Sequence, residues 1–253
     1  ARRQRQMCIR DRAKAQPAPR GTILLLHGRT WSGLPNFDLQ VQGTPRSVMD
    51  AFVYAGYAVY ALDQRGYGAS PRDASGWLTP TRARSDALTA ATLIRHRHPG
   101  LPAPVLVGYS MGSLTALFTV QQQPDAFSKL VLYGFPVDLD GVRLRGMEPS
   151  AATPVRAATT SKAAAEDFVF AGAAPKAVVD AYVAQAVAAD PVRVDWRRLD
   201  EFRFDPAKVT TPTLLLQGVA DGYVQPEAVA LMFTRLATPD RSWVVLPDSD
   251  HAA

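Results

Sequence analysis

Residues 104–112, with the sequence PVLVGYSMG, decide the fold that we predict for this chain. The apolar run Pro104–Val107 leads into a Gly-x-Ser-x-Gly motif centred on Ser110, and a predicted helix over Met111–Gln123 follows. A strand that turns abruptly into a helix at a serine leaves no room for bulky side chains two positions to either side, and glycine leaves that room. The stretch therefore predicts a strand, a tight turn and a helix, with Ser110 on the turn.

Ser110 at such a turn is a candidate nucleophile. The N-terminus of the following helix favours negative charge beside the serine, and the backbone N–H of Met111 points to where an oxyanion would form. A serine hydroxyl is a weak nucleophile near neutral pH, so a base must lie within hydrogen-bond reach. The alternative is that Ser110 is only a turn residue, and the strand before it and the helix after it favour the nucleophile.

Similar apolar runs recur on both sides of this stretch. They are continuous rather than alternating, which is typical of strands that helices cover on both faces. Helical segments between them supply the crossovers that parallel strands need. We therefore predict an α/β fold with a doubly wound, mostly parallel sheet. The predicted strands are Thr22–Leu26, Ala58–Leu62, Val105–Val107, Leu130–Tyr133, Thr213–Leu216 and Ser242–Leu246, and the predicted helices between them are Ser47–Ala55, Thr81–His98 and Met111–Gln123.

The regular alternation of strands and helices breaks after Phe135. Residues 136–205 hold two helical segments, Ser161–Phe170 and Lys176–Ala189, and Ala/Pro-rich linkers precede them. We predict that this stretch is a helical lid insertion and that residues 21–135 and 206–253 form the core. We expect most of the apolar stripe of the second helix simply to pack on the core.

The first 20 residues differ in composition from the rest. They hold seven Lys/Arg and one Asp, so the formal charge of +5 belongs to this tail and the remaining chain is close to neutral. We predict a disordered or non-native tail and no nucleic-acid partner. The only cysteine, Cys8, lies in it, which excludes disulfides and thiolate metal sites from the body. Neither a signal peptide nor a run of about 20 apolar residues is visible, so we expect a cytoplasmic protein without a membrane partner.

Four histidines compete for the role of the base. His96 and His98 end a predicted surface helix between arginines, where a solvated position is expected. His251 follows the last predicted strand, where a loop histidine can reach the nucleophile. Asp248 and Asp250 lie too near His251 in sequence to be its natural partner, and we expect them to be turn residues or surface charges.

The acid that orients the base is expected between the nucleophile and the histidine in sequence, in the order Ser, acid, His. Asp221 ends the next-to-last predicted strand and suits that order. Asp138 and Asp140, after the preceding strand, remain alternatives. We therefore predict Ser110, Asp221 and His251 as the catalytic set.

The loop after the first predicted strand is expected to complete an oxyanion hole. Gly28 permits a sharp turn there, and the backbone N–H of Arg29 would pair with that of Met111. His27, in the same loop, is expected to bond neighbouring loop backbone rather than to move protons. The side chains expected to line the substrate pocket are Trp31, Tyr109 and Phe135.

Five segments together resemble the α/β-hydrolase superfamily: LLLHGRTW (24–31), ALDQRGYGAS (61–70), LVGYSMGS (106–113), LLLQGVADGYV (214–224) and PDSDH (247–251). The resemblance covers residues 21 to 251 and implies that fold, with Asp63 and Arg65 bracing loops below the site. Relatives usually open with two antiparallel strands and close with a helix after the catalytic histidine. By that comparison, both ends of this chain look truncated.

The resemblance implies a serine hydrolase that needs no cofactor and no metal. We expect it to cleave a small to medium uncharged carboxylic ester through an acyl-serine intermediate, because the lid is rich in Ala and Val and no basic cluster points to an acidic substrate. Lactone hydrolysis, C–C bond hydrolysis and cofactor-free perhydrolysis remain alternatives, as does a non-catalytic binding scaffold or an inactive gene fragment. The sequence leaves the oligomeric state open.

Overall fold

The apolar strands form one sheet in the computed structural model, which describes residues 9–12, 18–136, 139, 144, 146–170, 172 and 174–252. The strands of this sheet and of a small second one are β1 (Ile9–Arg12), β2 (Thr22–Leu26), β3 (Ala58–Leu62), β4 (Trp77–Leu78), β5 (Val105–Tyr109), β6 (Lys129–Tyr133), β7 (Asp195–Trp196), β8 (Thr213–Gly218) and β9 (Arg241–Leu246). The main sheet has the order β1-β3-β2-β5-β6-β8-β9. Within the part of the chain that the structure describes, β1 pairs antiparallel and the other neighbours pair parallel.

Helices cover both faces of the sheet. Leu24 and Leu26 of β2 pack with residues of the helices on one face, and Ile23 and Leu25 pack with those on the other face. All five residues of β2 are buried, which explains why its sequence is continuously apolar. The predicted doubly wound architecture is thereby confirmed. The helices are α1 (Gly33–Phe37), α2 (Val48–Tyr54), α3 (Pro80–Arg97), α4 (Met111–Val120), α5 (Ser161–Ala165), α6 (Lys176–Ala189) and α7 (Pro226–Arg235).

Local capping fixes where two of the core helices begin. The Thr79 side chain accepts a hydrogen bond from the Arg82 N–H at 3.3 Å, and Pro80 occupies the first position of α3. The Ser47 hydroxyl accepts from the Asp50 N–H at 3.0 Å and caps α2 in the same way. These caps satisfy backbone N–H groups that a helix start leaves without partners.

The carboxyl ends of the parallel strands meet at one edge of the sheet. The chain order reverses between β2 and β5, and such a reversal opens a crevice at that edge. The loops that follow β2, β5, β6, β8 and β9 therefore lie side by side. Each of the residues predicted to act chemically belongs to one of these loops.

The N-terminal tail departs from its prediction. Ile9–Arg12 forms β1 and pairs antiparallel with β3, so these four residues are not disordered and the edge holds a strand where none was expected. The sequence shows no strand pattern here because an edge strand pairs through backbone N–H and C=O groups, whatever its side chains. The rest of the stretch 1–17, with Cys8, lies outside the described residues.

The insertion packs on the core through its second helix. Val178, Tyr182 and Ala186 of α6 are buried together with Trp31 and Leu39 of the core. The apolar stripe thus packs on the core, as expected for most of its residues. The first helix of the insertion is shorter than predicted, since α5 ends at Ala165. None of the described helices has the length and apolar character needed to cross a bilayer.

Candidate active site

The turn between β5 and α4 carries Ser110 in a strained conformation. Its φ is +52° and its ψ is −121°, a region that costs a non-glycine residue about 1–3 kcal/mol. The Ser110 N–H donates to the Tyr133 carbonyl of the neighbouring strand at 3.0 Å, and this bond holds the turn on the sheet. Such strain persists only where the surroundings enforce it, and here it lifts the serine side chain off the sheet edge.

Glycines give this turn the space it needs. A Cβ on Gly112 would lie 2.2 Å from the Leu26 carbonyl oxygen, and one on Gly108 would lie 2.5 Å from the Gly112 carbonyl oxygen. A Cβ on Gly28 would lie 3.4 Å from the Ser110 Cβ, so the loop after β2 runs directly beside the serine. Arg29 and Met111, the two predicted oxyanion donors, line the same cavity as Ser110.

His251 and Asp221 meet at the ends of β9 and β8. The His251 Nδ1–H donates to Asp221 Oδ2 at 2.8 Å, and both side chains are buried. The second carboxylate oxygen, Oδ1, accepts from the Tyr223 N–H at 2.9 Å, which fixes the carboxylate plane. When neutral, a histidine held in this way carries its proton on Nδ1 and turns Nε2 into the acceptor that a general base needs.

The other aspartates considered for the acid have different environments. Asp138 and Asp140 lie outside the described residues. Asp248 is an exposed turn residue with φ +50°, as predicted. The expectation of a turn residue or surface charge is wrong for Asp250, which is fully buried. Its carboxylate accepts from the Phe170 N–H of the insertion at 2.9 Å and from the Ala252 N–H at 3.0 Å, and these bonds satisfy the buried charge.

A cavity of about 260 Å³ opens over the serine. Ser110, His251 and Tyr109 line it, so one of the three predicted pocket side chains is there. The other two lie elsewhere among the described residues. Trp31 is buried against the insertion, and Phe135 is buried in the main core, with its ring 5.7 Å from that of Phe204. The remaining lining residues are Gly28, Arg29, Thr30, Met111, Leu114, Pro136, Leu144, Met147, Asp167, Arg193 and Tyr223.

Two tyrosine rings enclose the imidazole of His251. The ring centroid of Tyr109 lies 5.1 Å from that of His251, and the centroid of Tyr223 lies 4.9 Å away. Burial raises the pKa of Tyr109 well above its ordinary value, so its hydroxyl stays neutral. The rings limit the rotation of the imidazole and keep its plane in the orientation that Asp221 sets.

Three features of the site were missed by sequence reasoning. Gly134, at the end of β6, has φ +56°, and a Cβ there would lie 3.0 Å from both His251 Nδ1 and Cε1. Arg193 and Asp167 enter the cavity from the insertion. A glycine directly after a predicted strand was the available signal for Gly134, whereas nothing local marks the other two.

Two charged side chains of the cavity bear on the expected substrate. The absence of a basic cluster in the sequence was one reason to expect an uncharged substrate, yet Arg29 and Arg193 line the same cavity. The two arginines are far apart in the chain and reach one cavity only through the fold. The uncharged substrate stays a prediction.

The residues predicted to be structural act as such. His27 donates from Nδ1 to the Gly28 carbonyl at 2.8 Å and accepts the Gln64 N–H at Nε2, 3.1 Å away. Burial lowers the pKa of His27, so its ring is neutral. Asp63 accepts from the Gly33 N–H at 2.8 Å, and Arg65 pairs with acidic side chains of the core. These contacts confirm that His27, Asp63 and Arg65 brace loops.

Asp190, at the end of α6, fastens the insertion to two core loops. Its carboxylate accepts from the Ser32 N–H at 2.7 Å and from the Gly68 N–H at 2.7 Å, and the side chain is buried. Ser32 belongs to the loop that runs beside Ser110. Asp190 therefore joins the insertion directly to this loop. Among the described residues, no three His, Cys, Asp or Glu side chains are grouped as a metal site.

The sequence matches one known family over almost its whole length. The family model described as "Serine aminopeptidase, S33" covers residues 17–253. A relative named monoacylglycerol lipase, from Mycolicibacterium smegmatis, is 27% identical over an alignment of 261 positions that covers 92% of this chain and 81% of the relative. The match extends over the core and the insertion alike.

Solved structures resemble the fold. A monoacylglycerol lipase from Paleococcus ferrophilus has a TM-score of 0.62 and 17% identity, over 97% of this chain and 90% of the other. An esterase from Thermogutta terrifontis, solved with malate bound, has a TM-score of 0.67 and 17% identity, over 97% of this chain and 86% of the other. At this identity the likeness concerns the fold, and it confirms the predicted fold class.

Proposed function

Because the chain belongs to the serine aminopeptidase S33 family of α/β-hydrolases and is a hydrolase, we propose that it cleaves small to medium carboxylic esters through an acyl-serine intermediate. The observation that carries this proposal is the hydrogen bond of 2.8 Å between His251 Nδ1 and Asp221 Oδ2, at a cavity that Ser110 also lines. A buried, carboxylate-oriented histidine beside a strained serine is the arrangement that acyl transfer requires.

The proposed reaction has two halves. Ser110 Oγ attacks the ester carbonyl while His251 accepts its proton, and the protonated imidazole then gives that proton to the leaving alcohol. Asp221 stabilises the imidazolium, and in the neutral ring it keeps the proton on Nδ1. Water, deprotonated by His251, then attacks the acyl-serine, and as the acyl C–O bond breaks the imidazolium returns that proton to Ser110 Oγ and the acid is released. In both halves, the N–H groups of Arg29 and Met111 bind the oxyanion.

The size of the cavity supports a short acyl chain. Its volume of about 260 Å³ is below the roughly 300–1,000 Å³ of sites for drug-sized ligands. The relatives named monoacylglycerol lipase and esterase support ester hydrolysis as the reaction class. Apolar contacts from Leu114, Leu144 and Met147 supply the surface for the acyl group.

A labelling experiment tests the proposal on the native protein. A fluorophosphonate should form a stoichiometric adduct because it mimics the tetrahedral intermediate. The tryptic peptide from His98 to Lys129 contains Ser110, Ser113 and Ser128, and fragmentation should assign the adduct to Ser110. In parallel, p-nitrophenyl esters from acetate to octanoate should be turned over, with the short chains preferred. A folded protein that neither labels nor hydrolyses these esters would rule out the proposal.

Replacing Gly134 by alanine should reduce activity without unfolding the protein. The new Cβ would press on the His251 ring at 3.0 Å and shift its Nε2 relative to Ser110. A misplacement of the reacting groups by about 1 Å costs about 10²-fold in rate, and we expect kcat to fall by about that factor. The left-handed backbone at this position adds a stability loss of about 1–2 kcal/mol. Ester kinetics and thermal unfolding measure the two effects separately.

Gly100→Ala is the matched control for this prediction. Gly100 also has a left-handed backbone, with φ +92°, but a Cβ there would meet nothing within 4 Å. We expect a similar loss of stability and unchanged kcat. Equal kcat values for the two variants would show that Gly134 does not hold the histidine in place.

A further inference from the structure

Two guanidinium groups lie at the cavity that holds the serine. Arg29 directly follows the loop glycine after β2, and Arg193 belongs to the insertion, just before β7. Both line the same cavity as Ser110 and His251. Arg29 is half-buried, whereas Arg193 is exposed. The cavity therefore presents two positive charges from two different parts of the fold.

Within the described part of the chain, neither guanidinium has an acidic partner within ion-pair distance. The Nε of Arg29 is buried and has no hydrogen-bond acceptor there. Burial lowers the pKa of Arg29, and the nearby charge of Arg193 lowers it further. Arg65, by contrast, pairs with Asp73 at 2.8 Å and with Asp86. Buried cations are normally paired, so a half-buried arginine beside a second cation indicates that a partner is supplied from outside the chain.

The backbones that carry the two arginines are fixed. The Arg193 N–H donates to the Ala157 carbonyl at 2.8 Å, and the Arg193 carbonyl accepts from the Arg72 guanidinium at 3.2 Å. The Arg29 carbonyl accepts from the Tyr67 hydroxyl. Because these bonds already order the backbone, ligand binding would not lose conformational entropy by ordering it.

One carboxyl group shares the cavity with the arginines. Asp167 accepts a hydrogen bond from the Tyr182 hydroxyl at 3.1 Å. Burial raises the pKa of Asp167 above its ordinary value. A doubly charged phosphate would suffer more from this neighbour than a singly charged carboxylate, and the cavity is small. The two arginines and one carboxyl together favour a ligand with a single negative charge.

We propose that Arg29 and Arg193 bind a carboxylate of the substrate, so that the ester cleaved at Ser110 carries an acidic group. This inference rests on the proposed function and gives it a substrate class. A guanidinium offers a planar fork of N–H donors that matches a carboxylate, which is the reason to assign the site to that group. The acidic group lies on either the acyl or the alcohol side of the ester.

Matched pairs of esters test the inference on each side of the scissile bond. On the acyl side, mono-p-nitrophenyl adipate is compared with p-nitrophenyl heptanoate. On the alcohol side, para-carboxyphenyl butyrate is compared with para-carbamoylphenyl butyrate. The ratio of kcat/KM for the acidic ester to that for the neutral ester is measured at constant ionic strength. We expect this ratio to exceed one for one of the two pairs and to fall as salt is added.

Substituting each arginine shows which side chain causes the preference for the acidic ester. Arg29→Gln should lower the ratio by about tenfold, because a half-buried charged hydrogen bond is lost. Arg193→Gln should lower it by about threefold, because an exposed ion pair contributes less. Arg235→Gln, an exposed arginine on α7, removes the same charge elsewhere and should leave the ratio unchanged. Asp167→Asn should raise the ratio.

The outcomes separate this inference from the proposed function. Turnover of the neutral esters with ratios that do not respond to Arg29→Gln or Arg193→Gln would overturn the carboxylate site and leave the ester hydrolase standing. If Arg235→Gln lowered the ratio as much as Arg193→Gln, the effect would be one of net charge and the site would again be overturned. Neither turnover nor fluorophosphonate labelling would overturn both.

Discussion

Replacing Ser110 by alanine should abolish ester hydrolysis and fluorophosphonate labelling while the protein stays folded. The hydroxyl is the proposed attacking group, and removing a nucleophile of this kind costs about 10⁶-fold in kcat. Folding should be little affected, because the Ser110 side chain makes no hydrogen bond within the described residues and alanine is no larger. Ester assays check the loss of hydrolysis, and intact-mass measurement checks the loss of labelling. Circular dichroism checks that the protein stays folded.

Ser128→Ala provides the control for Ser110→Ala. Ser128 lies on the same tryptic peptide but before β6, at the opposite end of the strand from the cavity. We expect full labelling and unchanged kcat in this variant. If Ser110→Ala kept more than a small fraction of the activity, the nucleophile would have to be another residue and the proposed mechanism would fail.

Asp221→Asn should lower kcat by about 10⁴-fold with little change in stability. The amide is the same size as the carboxylate, and its oxygen can still accept the Tyr223 N–H. However, the asparagine NH₂ facing His251 would favour the tautomer that carries its proton on Nε2, and that tautomer cannot act as a base towards Ser110. The buried position of this pair makes the loss large, because water cannot replace the carboxylate.

Asp248→Asn is the matched control for the acid. Asp248 lies three positions before His251 and is exposed, and asparagine tolerates its left-handed backbone well. Activity should stay near that of the parent protein. A loss in Asp221→Asn of less than about tenfold, well short of the loss expected for the acid of a triad, would shift the role of the acid to Asp138 or Asp140.

The strands were readily predicted because both faces of the sheet are covered. A strand buried on two faces must be apolar at every position, so Thr22–Leu26 and Ala58–Leu62 have the predicted bounds. The helix α6 is equally recognisable, because its buried residues recur at helical spacing. In these elements, the burial of each residue can be inferred from the spacing of the apolar residues in its own segment.

Contacts between distant segments could not be predicted in this way. Arg29 and Arg193 share a cavity only because the insertion lies near the loop after β2. The sequence around either arginine gives no sign of that proximity. The burial of Asp250 depends on the Phe170 N–H, which belongs to the same insertion. Ser110, Asp221 and His251 were easier to select, since parallel strands deliver the ends of successive loops to one edge.

Asp190 sets a condition on exchanging the insertion for that of a relative. Its carboxylate holds Ser32 and Gly68, while Val178, Tyr182 and Ala186 of α6 pack on the core. A new insertion could therefore change the choice of substrate and leave the catalytic loops unchanged, provided that it keeps this aspartate and an apolar face on its second helix. A graft without the aspartate would leave the backbone N–H groups of Ser32 and Gly68 without their acceptor.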